Sequence, residues 1–353
     1  VVPNEPILEV EAPIVEAQLA ETLLLNAVHF PTTVASKAAR CVAAARGRPL
    51  VDFALRRTPG IEAGLAVARA CWLAGFASTS NVAAGLALGV PISGTVAHSF
   101  IEAMPSEREA FAAWARTATD PVTLLVDTYD TLRGVRLAVE IAEELREEGR
   151  RVASLRLDSG DLDALSRQTR RILDDAGLRE VKLFASGGLD EHGIDALVRA
   201  GAPLDGFGVG TRVGTSADAP VLDMAYKIVE YDGRPCLKLS AKKATLVGPK
   251  QVWRRRGPDG RFVEDRIATR DEPPPEGPWE PLLETVVRGG RRLERPSLQA
   301  LREAHAEEVR AMPPELLALD AEVRYPVARS PALEARQHAA VEETRRREEG
   351  GVA

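Results

Sequence analysis

The sequence predicts an α/β protein: a parallel (β/α) barrel, irregular or incomplete, with a smaller α+β domain built from the chain's two ends. Three observations carry this. From residue 50 onward, short apolar runs alternate with amphipathic stretches of helical length, and buried strands separated by such helices form right-handed βαβ crossovers in a parallel sheet. Six runs of this kind favour a closed or nearly closed barrel over an open sheet. After about residue 220 the alternation gives way to a hairpin, a Pro-rich stretch and two charged helices. The domains therefore divide as 1–30, part of the small domain; 31–220, the barrel; and 221–353, which completes the small domain.

Residues 5–16 alternate and are rich in Val, Ile and Pro, the pattern of a strand or hairpin, and 17–28 are helical in character. From about 31 the chain enters helix. The apolar runs are LVDFAL at 50–55, PISGTVA at 91–97, VTLLVD at 122–127, VASLRLD at 152–158, VKLFAS at 181–186 and LDGFGVG at 204–210. Helices are expected between them at 61–76, 106–118, 132–148, 160–176 and 190–200. In 132–148 the residues Val135, Val139, Ala142 and Leu145 recur at helical spacing and leave a charged outer face, EELREEGR. Residues 221–256 read as a β-hairpin with Asp232-Gly233 at its turn, followed by a polar, Lys-rich loop. The Pro-rich stretch 271–281 leads to more strand-like sequence and to helices at about 296–318 and 331–348.

Composition narrows the function. With 353 residues, 45% of them apolar, the chain can fill a large core and a smaller one. A net charge of −6 and a pI of about 5.6 argue against a nucleic-acid partner, because non-specific binding rests on neutralising many phosphates. The Arg runs at 254–256 and 345–347 read as solvated faces. Apolar runs such as 83–92 fall short of the roughly 18 residues of a membrane span, and no signal peptide is visible, so a cytoplasmic location is expected. Cys41, Cys71 and Cys236 are widely spaced and form no Cys-x-x-Cys pair, which indicates neither a zinc site nor a disulfide framework.

In a parallel α/β barrel the loops after the strand C-termini build the active site. Here those ends carry, in turn, Arg56 and Arg57; Thr95 and His98; Asp127 and Asp130 of DTYD; Arg156, Asp158, Ser159 and Asp161 of RLDSGD; Ser186, Gly187 and Gly188; and Gly208, Gly210 and Thr211. Each motif has a plain structural reading: a lone histidine is often a satisfied core residue, and Asp-Ser-Gly is often a turn with a helix N-cap. Their succession on one face is what favours a site. Two glycine cups before helices suit a phosphate monoester, acids at strand ends suit ribose hydroxyls and Mg²⁺, and arginines suit an anionic acceptor or a pyrophosphate. Phosphoribosyl diphosphate carries all of these groups.

FALRRTPG at 53–60, GFASTSNVAAG at 75–85, GTVAHSF at 94–100, VDTYD at 126–130, LRLDSGDL at 155–162 and FGVGT at 207–211 closely resemble nicotinate phosphoribosyltransferase, in that family's order. The resemblance implies an enzyme of NAD biosynthesis that joins nicotinate to phosphoribosyl diphosphate, with ATP as co-substrate, Mg²⁺ as cofactor and a homodimer as the assembly. It implies that His98 is the histidine phosphorylated by ATP. It places Thr95 and Arg156 on nicotinate, with Arg156 near the carboxylate, and matches Phe53 to a ring-contacting aromatic and Arg56 to an anion-binding arginine, with Arg57 and Ser159 as further substrate-binding residues. Asp127 and Asp158 match acids around ribose and Mg²⁺, and Ser186, Gly187, Gly188, Gly208, Gly210 and Thr211 match the 5′-phosphate cup.

Nicotinamide-using relatives carry an aspartate in the segment corresponding to 78–82; here it is Ser78-Thr79-Ser80-Asn81-Val82, which favours nicotinate. Two alternatives stay open: a nicotinamide- or quinolinate-using phosphoribosyltransferase of the same fold, and a barrel kept as a non-catalytic binding or regulatory subunit. The family's Asp-Leu-Tyr-like motif, whose tyrosine stacks on the pyridine ring, has no match here, and Val1 stands as though it followed that segment.

Overall fold

The computed structural model describes residues 5–118, 122–240, 245–320 and 323–350. Two compact units emerge, one of His29–Leu222 with Leu298–His305, the other of Val1–Val28, Asp223–Ser297 and Ala306–Ala353. The start of the chain at Val1 lies outside the described residues.

In the first unit six parallel strands, β1 (Leu50–Asp52), β2 (Ser78–Thr79), β3 (Val122–Leu125), β4 (Val152–Leu157), β5 (Lys182–Ala185) and β6 (Gly206–Val209), lie in the order β2-β1-β6-β5-β4-β3. The last strand pairs with the first, Asp52 opposite Val209, as a barrel requires. The sheet is a curled half-barrel, however, with β2 and β3 as its edges. Leu50, Leu124, Leu125, Leu155, Leu157, Leu183, Phe207 and Val209 are buried, the near-continuous apolar character of strands covered on both faces. On edge strand β3, the indole of Trp114 donates to the Thr123 carbonyl at 3.0 Å.

The helices are α1 (Ile14–Ala45), α2 (Ile61–Ala74), α3 (Val82–Leu88), α4 (His98–Glu102), α5 (Glu107–Thr117), α6 (Thr131–Glu147), α7 (Leu162–Asp175), α8 (Glu191–Arg199) and α9 (Thr211–Gly214). The five predicted from periodicity match α2, α5, α6, α7 and α8 to within about two residues at each end. Asp130, Asp161 and Asp190 cap α6, α7 and α8 by accepting the amides of Arg133, Ala164 and Gly193. In α6 the buried stripe is Val135, Ala138, Ile141, Ala142 and Leu145, one position away from the expected Val139.

Two expected strands are absent. Residues 5–13 form no strand, and α1 runs unbroken from Ile14 through Pro31 to Ala45. With no neighbouring strand to pair with, the segment is tied down by a side chain: the Glu9 carboxylate accepts Lys250 N at 3.0 Å and pairs with Arg270 at 2.6 Å. Residues 91–97 contribute only a single bridge, Thr79 to Ile92. Thr79, the last residue of β2, donates its amide to the Pro91 carbonyl and accepts Ser93 N, each at 3.0 Å, and the residues after Ile92 are largely exposed, so the ladder stops there.

In the second unit the hairpin predicted over 221–256 shrinks to β7 (Glu230–Tyr231) and β8 (Arg234–Pro235), although Asp232 and Gly233 do make its turn, with φ of 51° and 71°. The Lys-rich loop includes residues 241–244, outside the described residues. β9 (Lys250–Arg256) belongs to a four-stranded sheet with β10 (Phe262–Thr269), β11 (Trp279–Pro281) and β14 (Val327–Arg329). β12 (Val287–Arg288) and β13 (Arg291–Arg292) form a separate hairpin. The two charged helices are α10 (Leu298–Ala311), of which only the residues from Ala306 belong to this unit, and α11 (Pro331–Gly350). Leu246, Ile267 and Leu333 form this unit's small core, with Val327 against it. Among the described residues no helix is long and apolar enough to cross a membrane.

Candidate active site

Because all six strands run parallel, their C-terminal ends and the loops beyond them fall on one side of the sheet. Arg156, on β4, is the hub. Its Nε donates to Ser186 Oγ at 2.8 Å, Nη1 to Thr95 Oγ1 at 2.7 Å and Nη2 to Asp158 Oδ1 at 2.8 Å. Its guanidinium lies 4.8 Å from the centre of the Phe53 ring, a cation–π arrangement. Guanidinium has five N–H groups, so two remain for an anion.

Phe53 is fixed from behind. Its ring meets Phe184 edge-on at 6.2 Å, and a Cβ on Gly208 would lie 2.5 Å from the ring, so only glycine leaves it room. Asp158 follows β4 and collects donors. Oδ1 accepts Arg156 and, by a short hydrogen bond, the Ser186 hydroxyl; Oδ2 stands 3.6 Å from His98 Nε2. Burial alone would raise the Asp158 carboxyl, but the Ser186 hydrogen bond, the charge and hydrogen bond of Arg156 and the nearby His98 hold it below its ordinary range. His98 opens α4, and its Nδ1 is 3.1 Å from Thr128 Oγ1.

Asp127 supports the next loop. Its Oδ2 accepts Asp158 N at 2.9 Å and the Ser159 hydroxyl at 2.5 Å, whereas Oδ1 is buried without a partner. Gly187 has φ of +99°, and a Cβ there would lie 1.9 Å from the Asp158 carbonyl oxygen, so the loops after β4 and β5 close onto one another. Among the described residues, no internal acceptor meets the amides of Gly187, Gly188 or Thr211. Gly210 packs against the Phe53 carbonyl and precedes α9.

The structure thus brings together His98, Thr95, Phe53, Arg156, Asp158, Ser159, Asp127, Ser186 and Gly187, with Gly208 behind the ring. The Ser186 hydroxyl is spent on Arg156 and Asp158, which leaves only its loop's amides for a phosphate. Arg56 and Arg57 sit exposed on the short 3-10 turn Leu55–Arg57, outside this hydrogen-bonded cluster. Asp130 and Asp161 are helix caps. Two contributors escaped the sequence reading: Thr128, legible as the hydroxyl inside DTYD, and Phe184, hidden within an apolar run.

A Mg²⁺ ion prefers one or two carboxylates and substrate phosphates to an all-protein cage. Asp127 fits, since its Oδ1 is buried and unpartnered. Asp158 fits less well, because its oxygens already face Arg156, Ser186 and His98. Among the described residues no cluster of three or more His, Cys, Asp or Glu is arranged to hold a metal.

No family model matches the chain. It is 50% identical over 332 residues to the pncB2 nicotinate phosphoribosyltransferase of Mycobacterium tuberculosis, covering 92% of this chain and 70% of the relative. The chain belongs to the nicotinate phosphoribosyltransferase family. The nicotinate phosphoribosyltransferase of Bacillus subtilis is 44% identical over 277 residues, 76% of this chain and 56% of that one. The crystal structure of human nicotinic acid phosphoribosyltransferase superposes with a TM-score of 0.81 at 28% identity, covering 94% of this chain and 78% of the human one.

Proposed function

We propose that the chain transfers phosphoribosyl from phosphoribosyl diphosphate to the ring nitrogen of nicotinate, giving nicotinate mononucleotide and diphosphate, and couples this to ATP hydrolysis through a phosphohistidine at His98. The observation that carries the reading is Arg156, held over Phe53 with two N–H groups to spare and with Asp158 and His98 at its side.

In this reading the nicotinate ring lies on Phe53 and its carboxylate meets Arg156, which orients the ring nitrogen toward C1′. As the C1′–O bond to diphosphate breaks, positive charge grows on the ribose, and the carboxylate of Asp158, held ionised by its donors, stabilises it. The amides of the loops after β5 and β6 cradle the 5′-phosphate. Mg²⁺, when bound, would neutralise the diphosphate leaving group, with Asp127 as the residue that holds it. His98 would accept the γ-phosphoryl of ATP, forming an N–P bond as ADP leaves, beside the carboxylate that faces the ribose. A homodimer in the cytoplasm completes the proposal; sedimentation at twice the chain mass of 38.0 kDa is its test.

The deciding assay follows mononucleotide and ADP together, from nicotinate, phosphoribosyl diphosphate and Mg²⁺, with and without ATP. Mononucleotide should rise with ATP as ADP appears. His98→Ala should abolish ATP hydrolysis and leave some ATP-independent synthesis; full ATPase activity in that variant would remove His98 from its role.

A further inference from the structure

Asp52, the last residue of β1, is almost fully buried, with 2% of its surface exposed. From there it holds two segments at once. Its Oδ1 accepts Ala54 N at 2.8 Å, a reach of two residues that folds the chain around Phe53. Its Oδ2 accepts the Thr79 hydroxyl at 2.7 Å. Its carbonyl accepts Ser80 N at 2.9 Å and Ser80 Oγ at 3.0 Å. Thr79 Oγ1 in turn accepts Asn81 N at 3.0 Å, and Asn81 caps α3 by accepting Ala84 N.

A carboxylate this deep is costly unless its oxygens are satisfied. Among the described residues no ion pair of Asp52 is present. Burial pushes its carboxyl above the ordinary range, opposed by the Ala54 amide and the Thr79 hydroxyl. Those two donors and the Ser80 contacts are therefore what the residue does in the fold. One donor belongs to the turn that carries Phe53 and the other to the 78–82 segment.

We propose that Asp52 is a positioning residue for the acceptor: one buried carboxylate sets the Phe53 turn and the 78–82 segment relative to each other, so that nicotinate affinity depends on a side chain that does not touch nicotinate. The inference rests on the reading that Phe53 and the 78–82 segment face the acceptor. A residue placed for general stability would lower the active fraction without selecting between substrates. A positioning residue acts on one KM.

The test uses the full chain with Asp52→Ala, Asp52→Asn and Thr79→Val. Asp52→Ala should raise the nicotinate KM about tenfold while the KM for phosphoribosyl diphosphate changes less than about twofold. Asp52→Asn keeps an oxygen for the Ala54 amide and a hydrogen-bonding group for Thr79, and should restore most of the nicotinate KM. If Asp52→Ala does not fold, Thr79→Val carries the test, since it removes a single hydroxyl and should raise the nicotinate KM about threefold. Equal changes in both KM values, or a fall in kcat at constant nicotinate KM, would overturn the inference while leaving the proposed function standing. A wild-type chain that neither turns over nicotinate nor binds it in a calorimeter would remove both.

Discussion

Asp158 is the residue on which the site's electrostatics turn, because it faces a guanidinium, a hydroxyl and an imidazole together. Its carboxyl is held below its ordinary range. Ionised Asp158 therefore contributes stability that is fully present above the unfolded value of about 3.9 and is lost as pH falls through the lower folded value. Asp158→Asn lacks this contribution. The gap in urea midpoint between wild type and variant should be wide at neutral pH and narrow below about pH 4; a gap that does not change with pH would mean that Asp158 stabilises nothing by its charge. Arg156, Asp158 and His98 were legible in the sequence because each is a polar group in or just after an apolar run, although only Asp158 proves to follow a strand: Arg156 lies within β4 and His98 opens α4. Asp52 was not, since it sits inside an apolar run and its partners, Thr79 and Ser80, lie on another strand and the residue that follows it.

The loops after β4 and β5 approach each other closely at Gly187. Gly187→Ala would force a Cβ against the Asp158 carbonyl, at a φ that side chains rarely adopt. It should destabilise the chain by about 2–3 kcal/mol and reduce activity with it. A wild-type melting temperature and rate in this variant would show that the two loops can part without cost. At this scale the helices were readable from period and caps, since α5, α6, α7 and α8 each have a side chain at the N-cap that accepts a backbone amide. Strands were less so. Residues 5–13 and 91–97 have strand composition, but the first form no ladder among the described residues and the second only the single bridge to Thr79, and a strand exists only where another one pairs with it. The short pair β1 and β2 shows the converse: β2 has two residues and was hidden in a Ser-Thr-Ser-Asn segment, yet it pairs with β1 because Asp52 and Thr79 lie opposite each other.

For the whole molecule, binding of two substrates should register as stability. With phosphoribosyl diphosphate and Mg²⁺ present, nicotinate at about 100 times its Kd should add about 2.7 kcal/mol to the folded state. Nicotinamide at the same concentration should add less. An equal melting shift from both would contradict the acceptor preference drawn from the 78–82 segment. Alternation of strand and helix gave the architecture, but not where the sheet stops: six strands close on one another at β1 and β6 and still leave two edges. An edge without a neighbouring strand has main-chain groups that something else must cover. At β3 one such carbonyl is already taken, by the Trp114 indole of α5. That cover comes from a helix made earlier in the chain than the strand it protects. During synthesis the guard is translated before the edge exists, so β3 need not wait unprotected on the ribosome for later sequence to shield that carbonyl from a neighbouring nascent chain.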